Sequence, residues 1–83
     1  MEKLFEFGVN GFALAKHEDK LRDLLVEWIK EKNGLDVNIS FFIINELGMI
    51  NIDCFKLNDS EADKAKQLTE DLLKNLHIDY VLN

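Results

Sequence analysis

Two histidines, one cysteine and a ladder of acids are the residues of this 83-residue chain that could do chemistry. His17, Glu18 and Asp19 are consecutive, and helical neighbours one or two apart do not face each other, so they cannot converge on a metal. His77 and Asp79 share one face of an extended segment, but two ligands fall short of a closed site. Cys54 is the single cysteine, which excludes an internal disulfide and any CxxC metal or redox pair. It falls on an apolar strand face, where burial raises a thiol pKa, the opposite of what a nucleophile needs. No acid–base pair or activated nucleophile emerges. The expectation is a protein with no catalytic residue, no metal and no cofactor, and not an enzyme.

Asp19, Asp23, Glu27 and Glu31 follow one another at four-residue steps. Like charges at that spacing cost an isolated helix a few tenths of a kcal/mol each. Such an acidic face is either simply solvated or kept for a partner with a basic surface. Lys20, Arg22 and Lys30 interleave with it, which favours the solvated face. Lys and Arg total 10 against 16 Asp and Glu, a net charge of −6. That charge repels phosphate backbones and argues against nucleic acid as a partner. No apolar stretch reaches the roughly 18 residues of a membrane helix, so no membrane partner is expected. The N-terminal MEKLFEFGVN mixes acids with apolar residues and lacks a leader-like run. With a lone cysteine giving no sign of an oxidising compartment, the expected location is the cytoplasm.

The elements that must position these residues are legible from periodicity. One domain spans 1–83. Lys3 to Val9 alternates, with Phe5, Phe7 and Val9 on one face: a strand. Asn10-Gly11 then tolerates positive φ and favours a hairpin. A two-residue turn would set Val9 against Phe12 and Phe7 against Leu14, giving a return strand from Phe12 to Lys16; the alternative is a loop or bulge leading straight into a helix. A helix from about Glu18 to Lys32 buries Leu21, Leu24, Leu25, Trp28 and Ile29 and stops at Asn33-Gly34. A second, from about Ser60 to Leu76, carries Ala62, Ala65, Leu68, Leu72, Leu73 and Leu76 on one stripe, with Asn58, Asp59 or Ser60 as its N-cap. Ile78, Tyr80 and Leu82 alternate in a short last strand.

Between the helices, Val37 to Phe55 reads as two strands, Val37 to Ile44 and Met49 to Phe55, joined at Asn45-Glu46-Leu47-Gly48. A four-residue loop ending in glycine pairs Ile44 with Met49 and Phe41 with Ile52. A three-residue loop with a glycine bulge shifts the pairing by one and exchanges the faces of the first strand. In the first register Ile39, Phe41, Ile43, Ile50, Ile52 and Cys54 face the core. The outer face then carries Ser40, Phe42, Ile44, Met49, Asn51 and Phe55 among its residues, mixed but apolar enough to bind a partner protein. The expected fold is α+β: two helices on one face of a four-stranded antiparallel sheet, βαββαβ and ferredoxin-like, with strand order 4-1-3-2 and room for an extra N-terminal hairpin strand. That order puts the uncharged second strand on an edge, where a second copy could add to it and form a homodimer.

Three resemblances follow from this arrangement. Gly8-Val9-Asn10-Gly11-Phe12 resembles the phosphate cradle of the acylphosphatase family, which implies an acyl-phosphate hydrolase. The family motif continues to an arginine, and here Ala13, Leu14 and Ala15 stand nearby, with Arg22 alone and inside the helix. The topology is similar to the ACT family, which implies metabolite sensing between paired domains. It is also shared with RNA-recognition domains, but Gly48 to Phe55 ends in one Phe and carries an acid and no basic residue, where a basic start is expected. The functional expectation is a small acidic interaction module, an inhibitor or regulator that binds a protein through its edge strand or open sheet face. An ACT-like sensing domain is the alternative, and an acylphosphatase-like hydrolase without its arginine the third choice.

Overall fold

The structure, a computed structural model, describes residues 3–83; Met1 and Glu2, at the start of the stretch read for a leader, lie outside them. The described elements are β1 (Leu4–Asn10), α1 (Gly11–Leu25), a π-helical segment (Val26–Glu31) continuous with α1, β2 (Asn38–Ile44), β3 (Leu47–Asp53), α2 (Asp59–Asn75) and β4 (Val81–Leu82). The four strands form one sheet in the order β2-β3-β1-β4, every neighbouring pair antiparallel. The architecture is α+β and compatible with a ferredoxin-like fold. Alternation sends Phe5 and Phe7 of β1 and Ile50 and Ile52 of β3 to one face. There they meet Leu14, Leu21, Leu25 and Ile29 from the first helix and Ala62, Ala65 and Leu73 from α2. The two alanines of α2 on this side are both fully buried.

The segment from Phe12 to Lys16 is helix, not a return strand. Asn10 has an extended backbone, and its side chain accepts from the Ala13 N–H at 3.0 Å, an N-cap rather than a hairpin turn. Packing decides between the two uses of Asn10-Gly11. The Gly11 N–H donates to the Glu46 carbonyl at 2.8 Å, and a Cβ on Gly11 would lie 2.2 Å from the Asn45 carbonyl oxygen. The β2–β3 turn sits on this glycine and leaves no room for a hairpin there. α1 kinks at His17 (φ −119°, ψ 17°), which separates its first turns from the expected helix.

The β2–β3 connection is a two-residue turn, Asn45-Glu46, with Asn45 at φ 54°. Ile44 therefore pairs with Leu47, Phe41 with Ile50 and Ile39 with Ile52. Gly48 lies inside β3 rather than in the loop; a Cβ there would come within 3.0 Å of Gly11 Cα. The register differs by two residues from the four-residue-loop expectation. A shift of two preserves the faces.

Each helix buries a slightly different stripe from the expected one. Trp28 is 38% exposed, because the π-helical segment widens the last turns and carries it off the Leu21–Leu25–Ile29 line. In α2 the fully buried line is Ala62, Ala65, Thr69 and Leu73, and Leu76 lies at the surface. Thr69 pays no polar penalty, since its hydroxyl donates to the Ala65 carbonyl at 2.8 Å. Asn58 is the N-cap and forms a capping box with Glu61. His77, at φ 56°, ends α2: its N–H donates to Lys74 O, and the Ile78 N–H reaches back to Leu73 O.

Candidate protein interface on the open sheet face

The helices cover one face of the sheet and leave the other open. Across the open face one register row runs Phe42–Met49–Gly8–Val81, through all four strands. Gly8 contributes no side chain, and the row dips at its centre. The result is a concavity of about 570 Å³ lined by Gly8, Phe42, Leu47, Met49, Tyr80 and Val81 among others. Its rim is strongly apolar: Phe42 is 58% exposed, Leu47 70% and Val81 67%. Monomeric proteins seldom leave such residues contiguous without a use for them.

The next row is polar, Ser40–Asn51–Glu6. Asn51 is half-buried there, and its Oδ1 is buried without a hydrogen-bond donor from the protein. A buried acceptor left in that state costs on the order of 1–3 kcal/mol, which a donor from outside would recover.

Of the residues expected to form the interface, Phe42 and Met49 line the concavity, with Ile44 beside Leu47 at its edge. Ser40 and Asn51 form the polar row. Phe55 is exposed but lies beyond the end of β3, where its N–H donates to Asp53 Oδ1, and it does not join the concavity. Gly8, Leu47 and Val81 are the members that sequence reasoning missed. Gly8 alternates out of phase with Phe5 and Phe7, so its outer-face position was available. Leu47 falls within the expected four-residue loop, which hides its place in β3.

The acidic ladder is exposed throughout: Asp19, Asp23, Glu27 and Glu31 all face solvent. Glu27 pairs with Lys32 at 3.4 Å, and the neighbouring Glu18 pairs with Arg22 at 3.3 Å. Arg22 does more than balance charge. Its guanidinium lies 4.5 Å from the centre of the Phe41 ring, and Nη1 donates to the Ile39 carbonyl at 3.4 Å. The β2 edge, devoid of charge in its own residues, is thus partly capped from α1.

Cys54 is fully buried, and burial, reinforced by the Asp53 carboxylate, pushes its thiol up to about 11. The Tyr80 phenol pKa is also raised, by desolvation and by Glu70, to whose Oε1 its hydroxyl donates a hydrogen bond at 2.8 Å. Among the described residues no group of three or more His, Cys, Asp and Glu gathers in one place. At the β1–α1 junction two of the N–H groups a phosphate would need are already committed, Gly11 to Glu46 and Ala13 to Asn10. His17 and His77 instead line, with Lys20, a separate cavity of about 360 Å³ between the helix ends. No described helix is long and apolar enough to cross a membrane.

Comparison with protein-family models, with curated proteins and with solved structures returns no match to this chain.

Proposed function

We propose that this chain is a ferredoxin-like βαββαβ interaction module of the cytoplasm, which regulates or inhibits a partner protein by occupying its surface rather than by catalysis. The observation that supports this reading is the apolar row Phe42–Met49–Gly8–Val81 and the concavity above Gly8. A partner of matching chemistry inserts an apolar side chain over Gly8 and supplies a donor to Asn51 Oδ1. Aromatic and methionine side chains at the centre with polar groups at the rim are the anatomy of protein interfaces.

Filling the concavity tests this. Gly8→Val places methyl groups where the partner's side chain would go; the Cβ that carries them meets Val81 O at 3.5 Å and Asn83 Nδ2 at 3.9 Å, both ordinary contacts, so the fold tolerates it. A protein captured by the wild type, and lost with both Gly8→Val and Phe42→Asp but retained with Asp23→Asn, supports the reading. Capture unaffected by Gly8→Val and Phe42→Asp overturns it.

The concavity also favours a second reading. Its volume falls within the range of small-molecule sites, roughly 300–1,000 Å³, which suits an ACT-like metabolite sensor. A thermal-shift screen against amino acids distinguishes the two. A midpoint raised by several degrees, and not raised in Gly8→Val, favours sensing.

A further inference from the structure

We infer that the β2 edge takes a second copy of this chain, in antiparallel register about a two-fold axis at Phe42. The inference rests on the reading of this side of the molecule as an interaction surface and names one of its partners.

The two-residue turn decides which backbone groups point outward. Ile44 and Leu47 flank it as a hydrogen-bonded pair, and such pairs alternate along an antiparallel ladder. Asn38, Ser40, Phe42 and Ile44 therefore bond to β3. The N–H and C=O groups of Ile39, Phe41 and Ile43 point to the open edge. Arg22 Nη1 on the Ile39 carbonyl fits that assignment and takes one of these acceptors. What stays free for a new strand is Phe41 and Ile43.

A strand pairing with its own copy uses those two residues when Phe42 faces Phe42. Phe41 then exchanges both backbone bonds with Ile43 of the copy, and Ile43 with Phe41. Centring on Phe41 instead would need the Ile39 carbonyl that Arg22 occupies. Centring on Ile43 would run the ladder into the turn. The register keeps faces together: Phe42 meets Phe42 and Ser40 meets Ile44 on the open face, with Phe41 against Ile43 on the helix side.

Burial and charge agree. Ile39, Phe41 and Ile43 sit on the covered face yet are only half-buried, because β2 is the last strand of the sheet and nothing flanks its outer side. A second copy continues both layers. Two chains of net charge −6 repel, and Val37 to Asn45 carries no charge at all. The same register lays the Ile39 end of one β2 beside the Asn45-Glu46 turn of the other, so Arg22 of each copy comes opposite the exposed Glu46 of its mate. The opposite edge offers no equivalent, being two residues long and preceded by Asp79. A contact made through so short a stretch of one edge strand is expected to be weak, with micromolar affinity.

Sedimentation equilibrium from about 1 to about 500 µM tests the dimer. The weight-average mass should double across the range. Glu46→Arg and Arg22→Glu should each weaken self-association at least ~10-fold, while an equimolar mixture of the two should associate, since both cross-contacts are then opposite in sign. Phe42→Cys should cross-link to itself under mild oxidation, its Cα pair being about 4.5 Å apart. Ser40→Cys, which faces Ile44, should cross-link far more slowly. A wild type that stays monomeric at the highest concentration, a dimer indifferent to both charge reversals, or Ser40→Cys linking as fast as Phe42→Cys overturns the inference. Gly8→Val keeps the two proposals apart: it lies two strands from this edge and leaves the dimer intact while abolishing capture at the open face.

Discussion

β2 and β3 are two arms of one hairpin, equal in length and nearly equal in apolar content, and their fates differ. On the covered face Ile50, Ile52 and Cys54 are fully buried, whereas Ile39, Phe41 and Ile43 are only half so. Residue type does not account for this. β3 lies between two strands; β2 has one neighbour and a free edge, over which Arg22 reaches from α1. The same apolar alternation makes a core in one arm and a surface in the other. Sheet position thus separates a stabilising strand from one left available for contact.

The largest expected effect comes from truncating the same residue type on each arm. Ile52→Ala should cost about 4 kcal/mol and Ile39→Ala about half that, because solvent or a relaxing side chain can fill a site at the edge. Urea denaturation measures both. Equal costs would erase the distinction between the arms.

A smaller effect arises because only β3 leads into a buried ionisable group. Cys54 has its pKa raised from 9.0 to about 11. The unfolded chain loses the thiol proton near 9 while the fold retains it. Stability is therefore full below about pH 9 and declines as pH rises toward 11. Two pKa units correspond to about 3 kcal/mol lost by pH 11. Tyr80 acts in the same direction, so the difference between wild type and Cys54→Ala isolates the thiol. At pH 8 the native thiol should also resist Ellman's reagent until the protein is denatured.

The contrast between the arms shows what the sequence could and could not carry. Alternation placed Phe42, Ile44 and Met49 on the open face correctly even though the loop length was wrong, because two- and four-residue loops differ by a shift that preserves side-chain parity. Asn10-Gly11 was not decidable locally. The same pair serves a hairpin turn or a helix N-cap, and the choice was made by the Asn45–Leu47 backbone packing on Gly11 from across the sheet. The concavity was less legible still: it is made by the side chain Gly8 lacks, in a row whose other members come from three other strands. Arg22 gave a charge to the edge that β2's own residues do not have, and helix periodicity alone does not say how far a guanidinium reaches.

Arg22 offers the next test. Arg22→Met keeps the aliphatic stem and removes the guanidinium from Phe41 and from the Ile39 carbonyl. About 1 kcal/mol should be lost, from an exposed cation–π contact and one long hydrogen bond, the exposed pair with Glu18 adding little. The loss should be local: amide exchange quickens along β2 near Ile39 and is unchanged in β3 where it pairs with β1. Uniform quickening of both arms would mean that Arg22 supports the whole sheet and not its edge.

The smallest effect concerns the turn that joins the arms. Asn45 holds φ 54°, a region asparagine tolerates and glycine enters freely. Asn45→Gly should therefore stabilise the protein, by roughly 0.5 kcal/mol once glycine's greater freedom in the unfolded chain is subtracted. Gly48→Ala should do the reverse, since its Cβ would crowd Gly11 Cα and Val9. Were the connection a four-residue loop, Asn45 would have no positive φ to relieve, and the substitution to glycine would destabilise instead. The sign of one small change in urea midpoint thus reports the register of the hairpin, and with it which residues of β2 stand at the edge.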